Sequence, residues 1–220
     1  MRQGQRDWPV WDVVVRVIHW YFPLAIAFMW WSGGEGLMQW HSWVGYSLLV
    51  ASLTRILWGF VGSYYARFAN FLCSPRAVWH YIRGKPFTGL GHNPLGGWSS
   101  VALLLLVTSQ ATSGLFASDD ILFEGPLAYW AGDWSATLGA WHETNWTLLR
   151  TLILIHVCAI LFYKLVKKQA LVQAMITGRA VDRFSSEKPV SSRWALVIAG
   201  IASAVLALVV AYAPDSPSYY

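Results

Sequence analysis

Two histidines, His142 and His156, stand fourteen residues apart on one apolar segment covering residues 141–166. On an α-helix that spacing is a climb of about 21 Å and a return to within about 40° of the same face. His19 and His41 lie on two other apolar segments, at complementary depths. A histidine inside a bilayer is costly and faces the interior of a helix bundle, where the bland alternative is a hydrogen bond to a neighbouring helix. Neutral imidazole is a good axial ligand for haem iron, and helix bundles are suitable frames for haem sites. Four histidines at two depths therefore point to two haems, each gripped from both sides: His19 with His156 and His41 with His142. An iron with both axial positions filled has no open site, which favours electron transfer over oxygen chemistry.

The elements that must position these residues are membrane spans. The chain has 220 residues, 56% hydrophobic and 12% charged; a soluble domain carries about 25% charged residues. The apolar residues cluster into five runs, residues 13–31, 43–60, 98–116, 145–163 and 194–212. Each is long enough to cross ~30 Å of hydrocarbon as a helix. Helices satisfy their own backbone hydrogen bonds in lipid, and the runs lack the alternation of a barrel strand. The predicted fold is an all-α membrane protein with five transmembrane helices, the fifth at the C-terminus. Residues 1–180 form the haem-binding domain, and residues 181–220 a linker with the additional span.

Charge orients the spans. With the N-terminus in the cytoplasm, Arg2, Arg6, Arg16, Arg55, Arg67, Arg76, Arg83, Lys85, Lys164, Lys167, Lys168, Arg179, Arg183, Lys188 and Arg193 lie at the inner face. The outer connections hold Glu35, Asp119, Asp120, Glu124, Asp133 and Glu143, and neither Lys nor Arg. This is the positive-inside pattern, with the C-terminus outside. The basic balance reflects topology, so nucleic-acid binding is a poor explanation. Asp12, Arg16 and His19 interrupt the first run, which is unlike a cleaved signal peptide. Trp8, Trp11, Trp30, Trp31, Trp40, Trp43, Trp98, Trp141 and Trp194 fit interfacial belts. Cys73 and Cys158 fall on different elements, so no disulfide is expected, and no Cys-x-x-Cys-His attaches a haem covalently.

Other residues join the candidate sites. Gly45 lies one turn below His41, Gly114 interrupts the third span, and Gly139 precedes the fourth. Glycine permits the flat, close approach that a porphyrin needs, although ordinary small-residue helix packing accounts for it equally well. Arg16 and Arg55 lie within reach of the propionates of an inner haem, or simply anchor the inner face. Arg150 sits between His142 and His156; a buried guanidinium there needs a partner, a propionate by preference or an outer-loop acid otherwise. His80 and His92 are not assigned to iron. His92 caps a helix end or lines a quinone pocket, the structural role being preferred. The inner connection, residues 62–97, contains a short interfacial helix over 74–82. The outer one, residues 117–140, is acidic, carries Trp130 and Trp134, and reads as a folded cap or docking surface. No internal repeat is evident.

These residues carry a family resemblance. His19-Trp20, His41 with Gly45, Arg55-Ile56-Leu57-Trp58-Gly59, Gly91-His92-Asn93-Pro94-Leu95-Gly96, Trp141-His142-Glu143 and His156 occur in that order and spacing. Together they resemble the bacterial di-haem cytochrome b561 family, especially the cytochrome b subunits of membrane-bound nickel–iron hydrogenases, over roughly residues 8–178. The resemblance implies a four-helix core binding two b haems through His19, His41, His142 and His156. It also implies electron exchange between the quinone pool and a partner redox protein. The fifth span goes beyond that four-helix core.

The leading expectation is a transmembrane electron conduit in the bacterial inner membrane. It links quinone or quinol to a redox partner protein, hydrogenase-like or a c-type cytochrome, docked on the outer acidic, Trp-rich surface. A second reading is a self-contained quinone reductase fed by a small diffusible donor. A third, from another class, is a proton or metal transporter or scaffold; transporters favour broken helices around a midplane site, whereas these histidines avoid the midplane. The sequence leaves open whether the chain forms a homodimer.

Overall fold

The computed structural model describes residues 7–85, 92–118, 123–181 and 189–213. Arg2, Arg6, Gly91, Asp119, Asp120, Arg183, Lys188 and the tail residues 214–220, used in the charge and motif readings, lie outside the described residues. In chain order the elements are β1 (Asp7–Pro9), α1 (Val13–Gly34), α2 (Met38–Val61), a 3-10 turn (Tyr64–Ala66), α3 (Phe68–Phe71), α4 (Pro75–Ile82), α5 (Pro94–Gly114), α6 (Ala128–Ala131), α7 (Trp134–Leu165), α8 (Leu171–Thr177), β2 (Arg179–Val181) and α9 (Arg193–Ala211).

Five of these helices, α1, α2, α5, α7 and α9, are long and apolar enough to cross a membrane. Their starts are written in the sequence. The Asp12 carboxylate accepts from the Val15 amide at the head of α1, and the Asn93 side chain accepts from Gly96 at the head of α5. Pro94 and Pro75 occupy first-turn positions, where a missing N–H costs nothing. Ser74 caps α4, which matches the short interfacial helix expected there. The cap before α5 is Asn93, so His92 does not take that role; its ring packs between Trp11 and Phe71, 4.7 Å from each.

Helix boundaries depart from the apolar runs at every span, most at α7. α7 begins at Trp134 and runs for 32 residues, because hydropathy marks what lies in lipid and not where helical hydrogen bonding stops. Gly139 is therefore inside α7 and His142 two turns into it. Gly114 ends α5 instead of interrupting it. The all-helical expectation holds for the spans. Outside them a two-stranded antiparallel ribbon pairs β1 with β2, ahead of α1 and behind α8.

α1 packs on α2, α2 on α5, α5 on α7, and α9 on α2. α7 makes its extensive span contact with α5, and much less with α1 or α2. One core cluster draws a residue from each of four spans: Ala25, Leu48, Val107 and Leu149. α9 takes no part in it, joining instead the clusters on the far side of α2 through Ala195 and Leu206.

The opposite end of the spans, expected to be inner, is tied by the Arg55–Gly59 motif. The Trp58 indole, fully buried, donates to the Asp12 carboxylate at 2.8 Å. Arg55 donates to the Ala66 carbonyl at 3.3 Å and lies over the Phe68 ring. Gly59 backs onto that ring, and a Cβ there would overlap it. Trp58→Ala would remove both a filled volume and the partner of Asp12, a loss of about 3–5 kcal/mol. Outward faces carry residues such as Leu24, Leu154 and Leu196, as helices in lipid require.

Candidate functional site

His41, near the start of α2, and His142, on α7, face each other near one end of the spans, the end expected to be outer. Their ring centroids are 6.4 Å apart and their planes are inclined at 65°. Metal–imidazole bonds are about 2 Å long, and the ring centre lies ~1.2 Å beyond the bonding nitrogen, so two axial rings on one metal stand about 6.3 Å apart. The observed separation is that of two imidazoles sharing a single central atom.

The protonation of both rings follows from their neighbours. His41 Nδ1 lies 3.1 Å from the Met29 carbonyl and 3.3 Å from Ser32 Oγ. A carbonyl only accepts, so Nδ1 carries the proton and Nε2 keeps a bare lone pair. His142 Nδ1 lies 3.1 Å from Ser113 Oγ, whose own hydrogen goes to the Gln110 carbonyl at 3.1 Å, so the serine oxygen accepts from Nδ1–H and the same tautomer results. Among the described residues neither Nε2 has a hydrogen-bond partner. A ring held at Nδ1 with Nε2 free is the usual form of a metal-binding histidine.

The inner pair is built differently. His19 on α1 and His156 on α7 are close enough to interact electrostatically. The His19 ring packs edge-on against Trp20, and its buried Nδ1 has no hydrogen-bond partner among the described residues. Pro23, inside α1, cannot donate to the His19 carbonyl four residues back, so α1 lacks one helical bond at this level. Leu149, 2% exposed in the four-span cluster, is seven residues from each α7 histidine and separates the two pairs.

The other predicted site residues divide. Arg16 has a buried Nε with no hydrogen-bond partner among the described residues, the form expected of a cation awaiting an anion. Gly178, at φ +78°, closes against it: a Cβ there would stand 2.8 Å from Arg16 Nη1. Arg55 is already engaged by Ala66, Phe68 and the nearby Asp12 charge. Arg150 was expected to be buried; it is exposed, because its position on α7 is about 80° round from His142, off the packed face. Gly114 backs the His142 ring at 3.1 Å, measured from an added Cβ, whereas Gly45 meets only Met29 Cε at 3.5 Å.

Four residues escaped the sequence reading: Met29, Ser32, Gly33 and Ser113. The available signal was the dipeptide Ser-Gly, which occurs at the end of α1 and again at the end of α5, each time ahead of a histidine on the following span. Among the described residues no three His, Cys, Asp or Glu side chains group as a metal ion would need. Paired histidines instead suit an iron whose other ligands come from a macrocycle. Cys73 and Cys158 are both free.

The outer connection folds back on itself. Ser118 bridges to Glu124, Ser135 donates to the Phe116 carbonyl, and Trp130, Trp134 and Trp141 remain exposed.

The model of the prokaryotic cytochrome b561 family matches residues 10–178. A probable Ni/Fe-hydrogenase B-type cytochrome subunit of Bradyrhizobium diazoefficiens is 26% identical, over 77% of this chain and 84% of its own length. A probable Ni/Fe-hydrogenase 1 B-type cytochrome subunit of Escherichia coli K12 is 24% identical, over 80% of this chain and 91% of its own. No solved structure is a significant match.

Proposed function

The chain belongs to the prokaryotic cytochrome b561 family, multi-pass membrane proteins of electron transfer through b-type haem, and from that premise we propose a finer reading in which each chain holds two b haems. His41 and His142 would hold an outer haem, with Gly114 behind one ring and Gly45 one turn below the other. His19 and His156 are the ligands of an inner haem. Bound there, the two haems supply one-electron carriers at two depths. The histidines of the chain would hold them, the Leu149 cluster would exclude water between them, and paired histidine ligation would favour electron transfer over oxygen chemistry.

The observation that carries this reading is the 6.4 Å separation of the outer rings, with no hydrogen-bond partner at either Nε2 among the described residues. Arg16, its buried Nε unpartnered among the described residues, is the cation for an inner propionate. Arg150 is a candidate for the same role, being exposed and held by no hydrogen bond or ion pair among the described residues.

The N-terminus faces the cytoplasm of a bacterial inner membrane, and the acidic, Trp-rich outer connection faces the periplasm. A redox partner docks there. The two relatives are named as hydrogenase cytochrome subunits, so a hydrogenase-type partner fits that surface, with quinone exchanging electrons at the inner side. Reduced-minus-oxidised spectra with haem quantification on the purified chain test the reading: two b haems per chain are expected, and a chain without haem sinks it.

A further inference from the structure

The surroundings of His41 and His142 are two copies of one arrangement. On α1, Ser32 Oγ donates to the Met29 carbonyl at 3.3 Å, and both atoms approach His41 Nδ1. On α5, Ser113 Oγ donates to the Gln110 carbonyl at 3.1 Å and lies 3.1 Å from His142 Nδ1. In each copy the carbonyl is three residues before the serine and a glycine follows it. Each glycine faces the Cε1–Nδ1 edge of its ring: an added Cβ would meet His41 Cε1 at 3.3 Å from Gly33 and His142 Cε1 at 3.1 Å from Gly114. Two helical hairpins, α1 with α2 and α5 with α7, thus present equivalent histidines from opposite sides.

We propose that Ser32–Gly33 and Ser113–Gly114 form a duplicated seat for the outer haem ligands, with the two serines as positioning residues acting through His41 and His142. The serine oxygen, its own hydrogen given to the carbonyl three residues back, accepts from Nδ1–H and sets the rotation of the ring; at His41 the Met29 carbonyl also contacts Nδ1. The glycine sets how close the ring lies to the supporting helix. A ligand imidazole whose Nδ1–H is hydrogen-bonded is more basic, donates more charge to iron, and favours the ferric state. The seat therefore holds the outer haem oxidised in preference and fixes the angle between its ligand planes. The inner pair has no such support at His19, whose Nδ1 is without a partner among the described residues.

This rests on the two-haem reading, and the test separates the two. Full-length holoprotein carrying S32A, S113A or both is titrated potentiometrically, and its low-spin ferric resonance spectrum, which reports the angle between ligand planes, is recorded. The carbonyls remain, so haem is retained. Each single variant raises the midpoint potential of one and the same haem, the one lost in H142A. The double variant raises it further, up to about tenfold in the oxidised-to-reduced ratio at fixed potential, ~59 mV for a one-electron couple. The resonance of that haem moves and the other haem's stays, which also serves as the folding control. S32T and S113T, restoring the hydroxyl, return both readouts toward the parent. Should the double variant not assemble, G33A and G114A decide: each moves the same resonance without removing a polar group. Unchanged potential and resonance in the serine variants, or single variants acting on different haems, overturns the seat alone. Failure of H41A and H142A to remove the same haem overturns the two-haem reading itself.

Discussion

The outer and inner histidine pairs use the same residue type on the same long helix, yet the protein prepares them to different degrees. The outer rings are fixed before any cofactor is considered: each has its Nδ1 held, a glycine behind it, and the partner ring at 6.4 Å. At the inner pair, the His19 Nδ1 and the Arg16 Nε are buried without hydrogen-bond partners among the described residues, and Pro23 interrupts the helical bonding of α1 beside them. Buried polar atoms without partners cost about 1–3 kcal/mol each. The outer pair is therefore preorganised, and on the proposed two-haem reading the inner pair would gain its missing interactions only with its cofactor. One helix can carry two redox stations whose assembly energetics differ.

The largest consequence concerns haem loss. With a high-affinity haem acceptor added to the detergent-solubilised protein, the inner haem leaves first, about tenfold faster than the outer, since supporting hydrogen bonds to ligand histidines are worth 10–100-fold in affinity. Loss of both at one rate removes the distinction between prepared and unprepared sites. A smaller effect is expected from Arg16→Gln. Removing a positive charge beside the inner site would disfavour the reduced state there, because a nearby cation stabilises an added electron. A redox titration should show one component falling and the outer component unmoved; movement of the outer component would place Arg16 with the wrong haem. Smallest is Gly178→Ala. A side chain at φ +78° is strained by about 1–2 kcal/mol, and its Cβ presses on Arg16. It should lower the inner potential by less than Arg16→Gln does, in the same titration. An outer shift instead would detach the ribbon end from the inner site.

The sequence made some of this legible for physical reasons. Fourteen residues is close to a whole number of helical turns, so the alignment of His142 with His156 follows from α-helix geometry alone. Charge asymmetry and apolar length identify spans because lipid penalises charges and unpaired backbone. The helix extending to Trp134 escaped the hydropathy reading because hydrogen bonding continues past the lipid boundary. The exposure of Arg150 was hidden because depth along a helix says nothing of which side its neighbours occupy. Arg55 reads as a free cation until the 3-10 turn and α3 bring Ala66 and Phe68 onto it. The Ser-Gly pairs were unremarkable as dipeptides. They acquire meaning only when hairpin packing sets each against a histidine nine or twenty-nine residues away.

The central claim is that four histidines form two axial pairs at two depths. Haem-to-protein ratio with redox titration of the four single variants His19→Ala, His41→Ala, His142→Ala and His156→Ala tests it most directly. Each variant should retain one b haem, with His41→Ala and His142→Ala missing the same component and His19→Ala and His156→Ala missing the other. Two variants of one pair losing different components, or any of the four keeping both haems, would contradict it.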